Sequence, residues 1–178
     1  VGLCTDVAER TVVAKATPVI VTDASDEVAI GGELTDVATV TGRVNPGAST
    51  IDFSLYGPDV ADCSGTPVFT SFGVAYGATA TSVTSAAFTP TLPGTYRWVA
   101  RYNGDANNDA VSGTCGDPAE TVRVFGGLSR IVTNASPGTF VGDGKTLSDV
   151  ATVLDRVDPD GSGIVDFRLY GPNDNGCN

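Results

Sequence analysis

The side chains of this chain that could do chemistry are mainly oxygen donors, and they gather in two Asp-rich segments. In the first, carboxylates or hydroxyls stand at relative positions 1, 3, 5 and 9, with Gly at position 6. This order follows the first part of a calcium-binding loop, but Leu169 stands where the bidentate Glu of such a loop belongs. A hairpin turn is the competing interpretation, because the related turn at residues 45–49 carries no carboxylate. The calcium candidates are Asp158, Asp160, Ser162 and Asp166.

The second segment lies near the middle of the chain and contains Asp105, Asn107, Asn108 and Asp109. Short polar side chains of this kind hydrogen-bond to nearby backbone groups and stabilise turns. We therefore interpret the segment as a structural loop. The alternative is a module that binds calcium or a glycan through residues 102–109.

Composition argues against several classes of function. The chain has no His, which removes imidazole-based catalytic triads and imidazole metal sites. Its only lysines are Lys15 and Lys145, and we interpret Lys145 as a loop residue rather than part of an isopeptide crosslink. The net charge of −11 opposes binding to nucleic acid and to anionic membranes. No apolar run approaches the ~18 residues of a membrane helix, and we expect neither an enzyme nor a cofactor.

An internal repeat organises the chain. The segment of residues 34–58 returns at residues 147–172, with an offset of 113 at Leu34 and 114 at Leu55. The ten residues from Cys4 likewise resemble the ten from Cys115. The predicted organisation is the last strand of one repeat (residues 1–14), a complete repeat (15–124) and the first half of another (125–178). Tandem arrays of this kind mostly have structural roles, in which they span a distance and hold other groups in place.

The four cysteines occupy equivalent places in the repeat. With no CxxC motif and no His, disulfides are a better interpretation than a metal site. Cys63 and Cys115 form the natural pair within the complete repeat, and such a pair implies an oxidising, extracytoplasmic location. Cys4 and Cys177 would then bond to neighbouring repeats or subunits.

An all-β fold follows from the turn-forming residues. Seventeen of the 21 acidic residues are Asp, and 22 Gly and 10 Pro accompany them. β-branched runs broken about every ten residues predict a β-sandwich. We predict that Trp98 is a core residue between its two sheets rather than a platform for stacking sugars. Strands A to C are expected to begin again after Ser129. The predicted strands are residues 10–14, 19–22, 37–44, 50–56, 67–72, 80–88, 95–102 and 120–124.

Three segments carry a resemblance to a known family. They are LYGP followed by a Cys, GTYRWVARYNGDANND at residues 94–109, and CGDPAETVRV from Cys115. Together they resemble bacterial immunoglobulin-like tandem repeats of large cell-surface and adhesin proteins. The resemblance implies secreted, seven-strand β-sandwiches that act as stalk segments, with no shared active site.

The expected function is therefore structural: an extracellular repeat of a surface stalk, adhesin or filament. Its expected partners are neighbouring repeats or identical subunits, joined head to tail. Two interpretations of the half repeat stay open. The chain is either an excerpt of a longer array, or a subunit of a polymer in which strands and disulfides from the next copy complete each sandwich.

Overall fold

The computed structural model describes residues 7, 10–138, 142–157, 161–171 and 176. Its chain divides into two compact units, Val1–Phe125 and Gly126–Asn178. Apart from short 3₁₀ turns, the regular structure of the described residues is β-strand, so the predicted all-β class is confirmed. No helix among the described ranges has the length and apolar character needed to cross a bilayer.

The described part of unit 1 contains nine strands in two sheets. The strands are β1 (Val19–Ala24), β2 (Val28–Ala29), β3 (Asp36–Thr41), β4 (Ser49–Tyr56), β5 (Phe69–Tyr76), β6 (Val83–Thr84), β7 (Gly94–Tyr102), β8 (Val111–Ser112) and β9 (Thr121–Phe125). A three-stranded antiparallel sheet has the order β1-β3-β6, and a larger sheet has the order β2-β9-β7-β4-β5, with β8 paired to β7. All strand pairings are antiparallel except that of β2 with β9. A 3₁₀ helix, Pro118–Glu120, leads into β9.

The core of unit 1 follows the two-residue alternation of its strands. Along β4 and β7 every second side chain is buried, and Phe53 meets Trp98 edge to face at 6.4 Å between ring centroids. Trp98 is completely buried, which confirms its prediction as a core residue. The buried Tyr76 hydroxyl accepts from the Val40 N–H and donates to the Thr81 carbonyl, so its polar end is satisfied.

The LYGP motif has a packing role at the end of β4. Gly57 has φ 148°, and a Cβ there would lie 2.6 Å from Cδ1 of Tyr96. Only glycine fits this close approach without displacing the ring. The close packing explains why a glycine follows the Leu-Tyr pair here.

A disulfide joins the loop after β4 to the segment before the 3₁₀ helix. It links Cys63 to Cys115, the pair named from the repeat, with Cα atoms 5.9 Å apart and a sequence separation of 52 residues. Cys4 and Cys177 lie outside the described residues.

Several strand boundaries differ from those predicted. The strand predicted at residues 80–88 is reduced to Val83–Thr84 plus one bridge between Leu34 and Phe88, and the one at 67–72 lies later, at Phe69–Tyr76. β3 ends at Thr41 rather than at residue 44 because Gly42 adopts φ 75°. Residues 10–14 form no strand; they are exposed and pair with no strand of the described chain.

The described part of unit 2 contains one antiparallel pair, β10 (Arg130–Ala135) and β11 (Asp149–Leu154). These are the expected equivalents of β1 and β3. The third strand expected after residue 161 does not form: residues 161–171 are exposed and have no regular secondary structure. The physical reason lies in unit 1, where the equivalent strand β4 is held by β5 on one side and β7 on the other. The described part of unit 2 provides neither neighbour.

Candidate functional site

The oxygen-rich segment 105–109 forms the loop between β7 and β8. Gly104 begins it with φ 75°, and a Cβ at this position would lie 2.8 Å from the backbone of Asn108 and of Ala110. Glycine is therefore required at this position, and the tight turn brings the Asp105 side chain close to the backbone of the residues that follow it. The Tyr102 hydroxyl, at the end of β7, donates to Asp105 Oδ2 at 3.0 Å.

The Asp105 carboxylate is the centre of this loop, and donors occupy both of its oxygens. Oδ1 accepts from the backbone N–H groups of Asn107 and Asn108 at 2.8 and 2.9 Å. Oδ2 accepts from Gly47 N–H at 3.0 Å, and the Asn108 side-chain amide donates to both oxygens. Burial alone would raise the pKa of Asp105, but these hydrogen bonds outweigh it and hold that pKa well below its usual range.

Asn107 and Asn108 attach the loop to the turn between β3 and β4. The fully buried Asn108 accepts from Val44 N–H at 2.7 Å and donates to the Val44 carbonyl at 3.1 Å. Asn107 donates to the Asn45 carbonyl at 2.8 Å. The amides therefore act as a clamp between two loops at one end of the sandwich.

This geometry limits the chemistry of the loop. A calcium ion would have to displace hydrogen bonds that already saturate Asp105, and Asp109 alone in this loop offers a free exposed carboxylate. Across the described ranges, no three His, Cys, Asp or Glu side chains are grouped so as to hold a metal ion. An open recess of about 330 Å³ lies beside the loop and is lined by Val13, Ala14, Lys15, Ala16, Val44, Asn45, Ala106 and Asn107. None of these is aromatic, so the recess lacks a surface on which a sugar ring could stack.

The calcium candidates near the chain end are only partly described. Asp158 and Asp160 lie outside the described residues. Ser162 and Asp166 are exposed, in a segment without regular secondary structure. The predicted four-residue calcium site therefore lies partly outside the described residues.

A polar pair that the sequence reasoning missed lies inside unit 1. Asp36, at the start of β3, is fully buried, and Glu120, at the end of the 3₁₀ helix, is 2% exposed. The backbone N–H groups of Val37 and Asp23 lie close enough to Asp36 to lower its pKa, but no backbone N–H group of the described chain makes a hydrogen bond of good geometry to the four carboxyl oxygens. The two carboxyl groups lie close enough to hydrogen-bond to each other.

Burial and the proximity of the two carboxyl groups shift the pKa values of both Asp36 and Glu120. Burial, reinforced by the negative charge of Asp36, raises the pKa of Glu120 to about 9. Burial also raises the pKa of Asp36, to about 6, against the lowering effect of a hydrogen bond from Glu120. A signal for the pair existed in the repeat, because Asp149 and Glu9 stand at the equivalent positions.

Unit 2 presents an apolar surface where unit 1 has its core. A recess of about 590 Å³ in this unit is lined in part by Ile131, Leu147, Val165, Phe167 and Leu169. All five side chains are substantially exposed. Polar residues also line it, among them Ser148, Asp149 and Asp166.

Comparison of the chain with protein-family models, with curated proteins and with solved structures found no match.

Proposed function

We propose that this chain is a structural segment of tandem immunoglobulin-like β-sandwich repeats, extracellular and belonging to a surface stalk, adhesin or filament. The observation that carries the proposal is the strand order of unit 1. Its sheets, β1-β3-β6 and β9-β7-β4-β5, correspond to the orders A-B-E and G-F-C-C′ of immunoglobulin-like sandwiches. The parallel pairing of β2 with β9 adds a short strand at the edge of the larger sheet.

A local feature of β7 supports the same assignment. The Tyr96 hydroxyl donates to the Leu92 carbonyl, four residues upstream, at 3.0 Å. A tyrosine near the start of strand F that bonds back to the preceding backbone is a recurrent feature of these sandwiches. Trp98 follows two residues later and fills the core between the sheets.

The repeat supports the tandem arrangement. In unit 1 the equivalents of Leu147, Phe167 and Leu169 are buried, and strand β4, which carries two of them, is paired with β5 and β7. We infer that a segment with the sequence pattern of residues 65–125 covers unit 2 in the same way. The Cys63–Cys115 disulfide supports an extracytoplasmic location.

An extended chain tests the proposal. A second copy of residues 65–125 is appended after Asn178, and amide hydrogen exchange is measured over β10, β11 and residues 161–171. Completion of the sandwich is expected to protect these amides strongly, including those of residues 163–170, which now form no strand. The control appends the same segment with its apolar residues replaced by Ser. Unchanged exchange in the extended chain would contradict the tandem proposal.

A polymer of identical subunits is the second candidate. It is favoured by the exposed, strand-free residues 10–14 and by the repeat positions of Cys4 and Cys177. A donated segment of this length resembles only the last strand of a repeat, which leaves the places of β5 and β7 unfilled. Electrophoresis in SDS without reductant separates the candidates. A ladder at multiples of about 18.1 kDa that disappears in Cys177→Ser supports the polymer, and a single band counts against it.

Binding of calcium or a glycan through residues 102–109 remains the alternative from another class. The saturated Asp105 carboxylate gives it little support. Calorimetric titration with calcium and a glycan array test it directly, and heat or capture lost in Asp109→Asn would favour it.

A further inference from the structure

The buried Asp36–Glu120 pair connects the two sheets of unit 1. Asp36 belongs to β3 of the three-stranded sheet, and its side chain shares the buried face with Ala38 and Val40. Glu120 ends the 3₁₀ helix, whose next residue begins β9 of the larger sheet. The carboxyl contact therefore spans the interior of the sandwich.

Two ionised carboxylates cannot share this interior without a large cost. In the described chain the backbone N–H groups of Val37 and Asp23 approach Asp36 without forming hydrogen bonds of good geometry, and burial removes the water that would otherwise solvate the four oxygens. The other charges acting on the pair are Asp23 on β1 and Asp117 at the N-cap of the 3₁₀ helix, both negative. Repulsion from these neighbours further disfavours the doubly ionised state.

One proton shared by the two carboxyl groups removes their repulsion without any additional group. A protonated Glu120 has an O–H donor, and Asp36 offers acceptor oxygens within reach. Two carboxyl groups in contact generally hold one proton between them because like charges so close together do not both ionise. A hydrogen bond to a charged acceptor is also stronger than one between neutral groups.

We propose that Asp36 and Glu120 form a proton-sharing clasp between the sheets of unit 1, which tightens the sandwich in acid and loosens it in mild alkali. Asp149 and Glu9 repeat the two acids in sequence. If the tandem proposal holds, each complete repeat carries one clasp, and an array would gain resistance to unfolding in acid at every unit.

The direction in which stability changes with pH follows from proton linkage. The pKa of Glu120 is raised from 4.5 to about 9, so the folded state holds a proton that the unfolded state releases. The contribution of the clasp to stability is complete below about pH 4.5 and declines as pH rises towards 9. Between about pH 6.5 and 8.5 the unfolding equilibrium constant rises about tenfold per pH unit for one such proton.

The test compares urea unfolding of the whole chain and of Glu120→Gln at about pH 6.5, 7.5 and 8.5, with free thiols alkylated. Trp98 fluorescence reports unit 1 specifically because Trp98 is the only tryptophan. The Glu120→Gln substitution copies the neutral acid, so the unfolding constant of this variant should lack the roughly 100-fold rise over this range. Glu33→Gln, at an exposed position, is the matched control and should behave as the parent chain.

Asp36→Asn provides a second variant that is independent of the first. It retains an acceptor for Glu120 but removes the negative neighbour, so the pH dependence should shift to lower pH. Equal pH slopes in the parent chain and Glu120→Gln overturn the proposal. A calcium-induced rise in the urea midpoint that Glu120→Gln abolishes also overturns it, because the pair would then hold a cation.

Discussion

Units 1 and 2 share a sequence pattern and differ in what covers it. Leu34, Phe53 and Leu55 are 0% exposed, whereas their equivalents Leu147, Phe167 and Leu169 are 58%, 56% and 82% exposed. The same residue types form a core in one unit and an open surface in the other. The comparison shows that apolar alternation specifies a face, and that only neighbouring strands make that face a core.

The equivalent residues Phe53 and Phe167 provide the sharpest contrast. Phe53→Ala removes a buried ring that packs on Trp98 and should lower the free energy of unfolding of unit 1 by about 3–5 kcal/mol. Phe167→Ala removes an exposed ring and should change stability by less than ~0.5 kcal/mol. Urea unfolding followed by Trp98 fluorescence, with amide exchange for unit 2, measures both. Equal effects in the two units would break the comparison.

The disulfide is the next largest difference between the units. Its loop spans 52 residues, for which restriction of the unfolded chain contributes about 4 kcal/mol. Reduction, or Cys63→Ser with Cys115→Ser, should lower the urea midpoint of unit 1 accordingly. Amide exchange of β10 and β11 serves as the control and should not respond. A midpoint that survives reduction would mean that packing alone holds the loops.

The clamp formed by the Asn107 and Asn108 amides, together with Asp105 that holds it, should contribute less to stability than the disulfide. In the described chain it exists only in unit 1. Asp105→Ala leaves the buried Asn108 amide with the Val44 carbonyl as its remaining acceptor and one of its N–H groups unpaired, which should cost about 1–3 kcal/mol. Asp109→Asn, at an exposed neighbour, should cost less than ~0.5 kcal/mol. Thermal unfolding of the parent chain and the two variants at neutral pH ranks their stabilities. Equal losses in both variants would contradict a structural role for the clamp.

The same carboxylate predicts a pH dependence opposite to that of the clasp. Because its folded pKa is lowered from 3.8, Asp105 stabilises unit 1 above about pH 4, and this contribution declines as acid protonates it. The parent chain should therefore lose more stability than Asp105→Asn between about pH 4 and pH 2. Urea midpoints at these pH values measure the difference. Parallel curves would indicate that Asp105 titrates normally in the folded state.

The smallest effect is expected on the surface of unit 2. Arg130 Nε and Asp155 Oδ2 lie 2.9 Å apart, but their side chains are 64% and 62% exposed. Water and salt screen such a pair, so Asp155→Asn should change the protection of β10 and β11 by less than ~0.5 kcal/mol. Hydrogen exchange at low and high salt tests this expectation. A larger loss would show that charge, rather than strand pairing, holds this hairpin.

The sequence predicts the strands that have strong alternation and misses those that depend on partners. β4 and β7 lie close to their predicted positions because their apolar residues alternate without interruption. The two-residue strands β2 and β8 have no such pattern and exist only because they pair with β9 and β7. The third strand expected in unit 2, after residue 161, has the pattern of β4 but no partners in the described chain.

Of the two polar sites of unit 1, the sequence predicts one and misses the other. The segment 105–109 is recognisable from its residue types, and the turn interpretation agrees with its hydrogen bonds. The Asp36–Glu120 pair is not recognisable from the local sequence, because a single Asp before a strand and a single Glu before another suggest exposed turn residues, and the repeat shows only that both acids recur. Their burial follows from the register of β3 and from the 3₁₀ helix that aims Glu120 into the core.

The amino-acid sequence by itself determined the repeat, the all-β class and the faces on which apolar side chains lie. These are local properties, set by residue type and by the two-residue period of a strand. The tertiary structure alone decided which faces are covered and which acids are removed from water. Such outcomes depend on contacts between residues as far apart as Asp36 and Glu120, whose proximity no local pattern contains.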